Sequence, residues 1–172
     1  MFFFADRINI RKHFALISLD NYVALKYGPV ASSSLDILNH TRDYLSNFSQ
    51  DELKFLNKIK RINQSKRIIE PVENDLLSKN EMRSLDTAME LFCDKPLVEL
   101  SHDYPEWKRY KELFDNKLIS MRPVDINDFF ANPDINNSPA IKKYFGDDPL
   151  YETPEYLNEA REFYLESRQV VL

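Results

Sequence analysis

The chain has 172 residues, 43% of them apolar, which is enough for one hydrophobic core of ordinary size and argues against several independent domains. Its single cysteine, Cys93, excludes an internal disulfide. No run approaches the ~18 apolar residues a bilayer span needs, and the Met1 to Phe4 run lacks a signal peptide's basic flank, so a cytoplasmic location is expected. The formal net charge of −5 is uneven, with 13 Lys or Arg against 11 Asp or Glu in residues 1–86 and 10 against 17 in residues 87–172, which argues against nucleic-acid binding along the whole chain.

In chain order, residues 2–13 read as a helix, with Phe3, Phe4, Ile8 and Ile10 supplying apolar surface and Arg11, Lys12 and His13 at the end where cations suit the helix dipole. Leu16 to Ser18 and Tyr22 to Leu25 flank the turn-forming pair Asp20-Asn21, a pattern for a small β-hairpin. After Gly28-Pro29, any of Ser32 to Ser34 can cap a helix reaching about Leu45 and carrying Leu35 and Leu38. Ser49 with Glu52 and Ser78 with Glu81 both match the capping box. The first predicts a helix presenting Phe55, Leu56, Ile59 and Ile62, the second one presenting Leu85, Ala88, Met89 and Phe92.

Arg67-Ile68-Ile69 between those helices reads as a short strand. Asp103 with Glu106, and Pro105 in the first turn, marks a further helix start continued by Trp107, Tyr110 and Phe114. From Ser120 to Pro149 four prolines and the Asn residues 127, 132, 136 and 137 favour irregular loops. Thr153-Pro154 then opens a final helix with Tyr156, Leu157, Ala160, Phe163 and Tyr164 along one face. The expected fold is α+β, mainly helical, one compact domain with a small antiparallel β element around one core.

Three blocks stand out in this order: Phe3-Phe4-Ala5-Asp6-Arg7-Ile8; Asp20-Asn21-Tyr22-Val23-Ala24-Leu25-Lys26-Tyr27-Gly28-Pro29-Val30; and Leu97-Val98-Glu99-Leu100-Ser101-His102-Asp103-Tyr104-Pro105-Glu106-Trp107-Lys108. Together they resemble the Panacea domain, the SocA-like antitoxin family of bacteria and their phages. Its members pair a "YFADR"-like helix with D-x-Y-x-A-x-x-x-G-P-V and a late L-S-H-x-x-x-x-W. The resemblance covers roughly residues 1–130, taken as the domain, with residues 131–172 as a C-terminal extension of loop and amphipathic helix.

Two departures from the family pattern are visible. Leu19 precedes Asp20 where members usually carry Gly, so that turn is made without a residue that readily takes positive φ. Met1 to Phe4 already lies in the apolar run that members reach about ten residues in, so the first helix is expected to be shortened. The resemblance implies a non-enzymatic antitoxin that neutralises a cognate protein toxin by direct binding or hands it to a host protease, with no cofactor and no membrane.

The residues themselves show no catalytic constellation. His13, His40 and His102 lack metal-ligand spacing with one another or with Cys93, and no Gly-rich loop exists to cradle phosphate. Cys93, beside an apolar helix face, reads as packing rather than as a nucleophile. Candidate toxin-binding residues are Lys26, Tyr27, His102, Trp107, Tyr156 and Phe163, and each has a structural alternative. His102 either meets a partner or organises its loop through its ring nitrogens, and Trp107 is either an interface anchor or core.

Lys26 and Tyr27 flank the turn assigned to Gly28 and Pro29, with Asp20 as the other turn residue; an aromatic beside a cation on a rigid loop suits protein recognition. The acidic side of the final helix leaves its Tyr156 and Phe163 stripe to dock on the domain or on another chain. Lys54, Lys58, Lys60, Arg61, Lys66 and Arg67, with no acid between Leu53 and Ile69, form either a solvated basic face or a contact for an acidic protein. Alternatively they serve a DNA-binding regulator of the protein's own operon.

Overall fold

The computed structural model describes residues 1–39, 48–62, 65–68 and 76–169. At its centre lies α1 (Phe2–His13), in which every residue from Phe3 to Arg11 is buried. A helix enclosed on all sides is ordinarily apolar all round. This one also carries Asp6, Arg7, Asn9 and Arg11 into the interior, and burying those groups is tolerable only because each finds partners.

Two short strands, β1 (Tyr22–Leu25) and β2 (Gly28–Ala31), form a hairpin in which Leu25 faces Gly28. Strand β5 (Met121–Pro123) joins the other side of β1, giving the order β2-β1-β5. The expected hairpin is therefore displaced: its turn is Lys26-Tyr27, and Leu16 to Ser18 forms no strand. Gly28 and Pro29 sit within β2 rather than making the turn. β2 is an edge strand, where a missing proline N–H is harmless.

Helix α2 (Ser32–Asn39) follows β2 directly, and Leu45 falls outside the described residues. α3 (Gln50–Asn57) starts where its capping signal predicted, but it ends before Ile59. Ile59 to Ile62 form β3, which pairs with β4 (Ser65–Ile68), so Ile59 and Ile62 are strand residues and not part of a helical stripe. β-branched isoleucines among long cations suit a two-stranded ribbon better than a helix. The predicted strand at Arg67 and Ile68 is β4, and Ile69 lies outside the described residues.

Helix α4 (Lys79–Phe92) has the full capping box, with Glu81 N–H donating to Ser78 Oγ at 3.2 Å and Ser78 N–H donating to Glu81 Oε2 at 2.6 Å. Its Ala88 and Phe92 are buried against α1, where Phe92 stacks on Phe4 with ring centroids 4.2 Å apart. Cys93 ends this helix exposed, contrary to the packing role expected, because the buried stripe of α4 runs through Ser84, Ala88 and Phe92.

Three short helices follow: α5 (Leu97–Ser101), α6 (Pro105–Lys108) and α7 (Lys111–Asp115). The proline- and asparagine-rich stretch is more ordered than its composition predicts. It holds β5, two 3₁₀ turns (Ile126–Phe130 and Ile135–Asn137) and α8 (Pro139–Phe145). Both 3₁₀ turns are opened by Asx caps, Asp125 accepting from Asn127 N–H and Asp134 from Asn136 N–H. α9 (Pro154–Gln169) opens with Tyr156 N–H donating to Thr153 Oγ1 at 3.3 Å, as its Thr-Pro signal predicted. Its Ala160 and Tyr164 join the same core as α1, as does Ile141 of α8.

The fold is thus compact α+β and mainly helical, and its centre is charged. Arg7 forms an ion pair with Glu106 in which both side chains are wholly buried, and its guanidinium also donates to the carbonyls of Asp128 (3.3 Å) and Ala131 (2.5 Å). Arg11 donates to the carbonyls of Phe129 (2.6 Å), Ala131 (2.8 Å) and Leu150 (2.7 Å). Arg11 therefore belongs to the interior and does not serve the helix dipole at the surface.

Removing one member of a buried pair strands the other charge, at a cost of about 3–5 kcal/mol, whereas replacing both by apolar side chains is often near neutral. Arg7→Ala should lose stability in that range by urea denaturation. The double change Arg7→Met with Glu106→Leu should recover part of it, since the Asp128 and Ala131 carbonyls still lose the Arg7 donor, and a single-variant loss below about 1 kcal/mol would contradict this role for the pair.

Candidate functional site

The hairpin turn carrying Lys26 and Tyr27 is held from beneath by residues distant in sequence. Trp107 Nε1 donates to the Leu25 carbonyl at 2.8 Å, which fixes the last residue before the turn. Gly28, the first residue after it, has φ +126°, and a Cβ there would lie 2.6 Å from Ser101 Oγ. Glycine is required at this point both by conformation and by the close approach of α5. Tyr27 is left 68% exposed, with Lys26 Nζ 5.4 Å from its ring centroid.

His102 and Trp107 come together directly. Their rings stack at 3.5 Å and 9°, and Phe114 continues the row on the other side of Trp107 at 5.6 Å and 6°. Trp107 is only 3% exposed, a buried post under the turn. Burial lowers the His102 pKa, against which the Asp103 charge and a hydrogen bond to the Lys26 main chain act in part; the ring is therefore neutral near pH 7. Lys26, Tyr27, His102 and Trp107 form one cluster.

Tyr156 and Phe163 lie elsewhere, on α9 at the C-terminal end of α1. Tyr156 Oη donates to the Arg11 carbonyl at 3.0 Å, and Phe163, 55% exposed, stacks on Phe14 at 5.2 Å. The two candidate groups occupy different parts of the surface.

Asp20 acts at a helix start rather than in a hairpin turn. Its carboxylate accepts from Ser33 N–H (3.0 Å), Ser34 N–H (2.7 Å) and Ser34 Oγ (3.0 Å), and so caps α2 from outside it in place of the serines. Leu19 beside it takes φ +51° with its side chain 80% exposed, so the turn is made in the left-handed conformation that glycine adopts at less cost. Asp6, one residue before Arg7, accepts from Ser18 N–H (3.1 Å), Ser18 Oγ (2.5 Å) and Tyr22 Oη (2.7 Å), tying α1 to the start of β1.

Asp103 and Glu106 do not form the capping pair their spacing predicts. Tyr104 is the N-cap of α6 without a side-chain bond. Asp103 Oδ2 instead accepts from Ala140 N–H (2.7 Å) and Ile141 N–H (2.9 Å) at the start of α8, and Glu106 turns inward to Arg7. Arg7, Glu106 and Asp103 were not legible in the sequence as organising residues; the one signal there is an Asp-Arg pair, Asp6-Arg7, inside a run otherwise apolar enough to be core.

Among the described residues no group of three or more His, Cys, Asp or Glu could hold a metal ion, and no helix is long and apolar enough to cross a membrane. Residues 1–108 match the family model described as antitoxin SocA-like, Panacea domain, and the chain belongs to that family. Its role is accordingly that of an antitoxin, with a toxin as the partner the family implies. Comparison with curated proteins and with solved structures gives no match.

Burial alone would raise the Asp20 carboxyl, but the Ser34 and Ser33 amides and hydroxyls outweigh it and hold the pKa below the usual carboxylate value. A group depressed in the folded state contributes stability above its unfolded pKa and loses it as pH falls through the folded one. Urea midpoints of the wild type should therefore fall below about pH 4 more steeply than those of Asp20→Asn, which keeps a capping oxygen without the charge. Parallel acid limbs would contradict the capping role of the charge.

Proposed function

We propose that this protein is a cytoplasmic antitoxin that neutralises one cognate protein toxin by binding it directly, through the face built around the Lys26-Tyr27 turn. The observation that carries this reading is the convergence of the three family-bearing blocks. Asp6 bonds to Tyr22, Arg7 pairs with Glu106, Trp107 holds the Leu25 carbonyl, and Gly28 abuts Ser101. Segments as far apart as the 82 positions between Leu25 and Trp107 are spent on fixing one short, exposed loop, and preorganising a recognition loop reduces the entropy lost on binding. An interface of ordinary size, about 1,600 Å² in total, fits on one side of a domain this large.

The test is co-expression of the protein with the toxin encoded beside it, read as growth rescue and as complex recovered by size exclusion. Tyr27→Ala and Lys26→Glu alter exposed side chains, so both variants should melt as the wild type does. Each should weaken toxin binding by about tenfold or more, as for a truncated anchor. Failure of the wild-type protein to rescue growth would overturn the reading. If the toxin disappears during rescue instead of accumulating in the complex, neutralisation proceeds by handing it to a protease.

The β3–β4 ribbon supports a second reading, a DNA-binding regulator. Its register sets Lys60 opposite Arg67 and Arg61 opposite Lys66, so four basic residues fall in one two-stranded ribbon. Binding of that kind falls steeply with salt, with a slope near −0.9 per phosphate contacted, whereas a toxin interface with an apolar centre does not.

A further inference from the structure

Two grooves meet the row of stacked rings formed by His102, Trp107 and Phe114. One, of about 680 Å³, has Trp107, Pro139 and Ala140 among its lining and Lys108, Lys111 and Lys143 around it. The other, of about 470 Å³, runs beside Phe114 and Ile119 and brings in Lys26 and Lys117. Five lysines from separate parts of the chain therefore surround one aromatic row in a protein whose net charge is −5.

Three carboxylates line the grooves against the five lysines; Asp115 neutralises Lys111 and the Glu99 charge acts on Lys143, which leaves the lysines in excess. Asp103 spends one oxygen on the two α8 amides, and Asp115 is already bound to Lys111 at 2.6 Å. Lys108 Nζ donates to the Asn137 carbonyl and to Ser138 Oγ (3.2 Å), and Lys143 Nζ lies 4.7 Å from the Tyr144 ring centroid. Among the described residues neither has a carboxylate within ion-pair distance. His102 keeps its Nε2 buried without a hydrogen-bond partner among the described residues.

We propose that the paired grooves seat an acidic segment of a protein partner, with carboxylates over the lysines and an apolar side chain against the exposed Pro139, beside the edge of Trp107. Given the antitoxin reading above, on which this step rests, that segment belongs to the toxin. A polynucleotide fits less well, because base stacking needs free ring faces. Here Trp107 is 3% exposed and has His102 on one face and Phe114 on the other, and three carboxylates stand among the lysines.

Trp107 is the only tryptophan in the chain, so its emission reports on the groove directly. The probe is the acetylated hexapeptide EDFEDL, with its uncharged counterpart QNFQNL and an oligothymidine as competitors. EDFEDL should change Trp107 emission saturably by about 1 mM, a weak affinity suited to an isolated segment, and QNFQNL should bind about tenfold or more weaker. Lys111→Glu and Lys143→Glu, both at exposed positions, should each cost about tenfold; Lys143→Glu should melt as the wild type does, and Lys111→Glu, which also breaks the Asp115 pair, only slightly lower. The proposal is overturned if EDFEDL gives no change, if QNFQNL or the charge-reversed variants bind equally well, or if oligothymidine binds more tightly than EDFEDL.

The two variants are then tested for neutralisation. If EDFEDL binds as expected but Lys111→Glu and Lys143→Glu still neutralise the toxin fully, assignment of the segment to the toxin is overturned while the antitoxin reading stands. If the wild type fails to neutralise, the antitoxin reading falls whatever the peptides do.

Discussion

The buried Arg7–Glu106 ion pair is the constraint on which the other arrangements depend. Glu106 sits in α6, one residue before Trp107, so fixing its carboxylate against α1 also fixes the indole that holds the Leu25 carbonyl. The same guanidinium donates to the carbonyls of Asp128 and Ala131, and Arg11 one turn later donates to those of Phe129, Ala131 and Leu150. These main-chain oxygens belong to the 3₁₀ turn, the residue after it and a loop, which have no regular ladder of their own. Two arginines thus do for residues 128–131 what a neighbouring strand would otherwise do, satisfying buried carbonyls that would each cost free energy if left bare. Burial pushes the Glu106 carboxyl up and the Arg7 charge opposes it. Arg7 is bonded to Glu106 and to two carbonyls, whereas Glu106 Oε2 is buried without a hydrogen-bond partner among the described residues, so the carboxylate depends on Arg7.

That economy shapes the surface. Asp6, Asp20, Asp103 and Asp148 are all spent on internal bonds, to Tyr22, to α2, to α8 and to Tyr104 respectively, so these four of the 28 acidic residues are tied up inside. The lysines of the aromatic row remain outside. A protein of net charge −5 can therefore offer a positively charged face, and charge complementarity of that kind governs partner choice and association rate more than raw affinity.

Much of the fold was legible in the sequence where local chemistry decides structure. The α4 capping box, the Thr153-Pro154 start of α9 and the α1 span are set by side chains within a few residues of the elements they begin or fill. The errors fall where a distant group takes over. Asp20-Asn21 looks like a hairpin turn until Ser33 and Ser34 compete for the carboxylate, and Asp103 looks like a cap for α6 until the α8 amides claim it. Periodicity misassigned Ile59 and Ile62 because a four-residue apolar pattern is shared by a short helix and a short strand. Of the candidate site, His102 and Trp107 were legible as motif members, and Lys26 and Tyr27 as the cation and aromatic beside Gly28-Pro29. Their convergence was not, since it rests on contacts such as Trp107 to Leu25 that span 82 positions.

The central claim is that α1, α6 and residues 128–131 form one cooperative unit held by buried arginines. Native-state amide hydrogen exchange tests it most directly, because separate units open with separate free energies. The Ile10, Lys108 and Ala131 amides, each bonded within a different one of these segments, should exchange through a single opening with one free energy and one denaturant dependence. Exchange of Ala131 through an independent, much cheaper opening would show that the arginines do not bind the segment to the core, and would contradict the account.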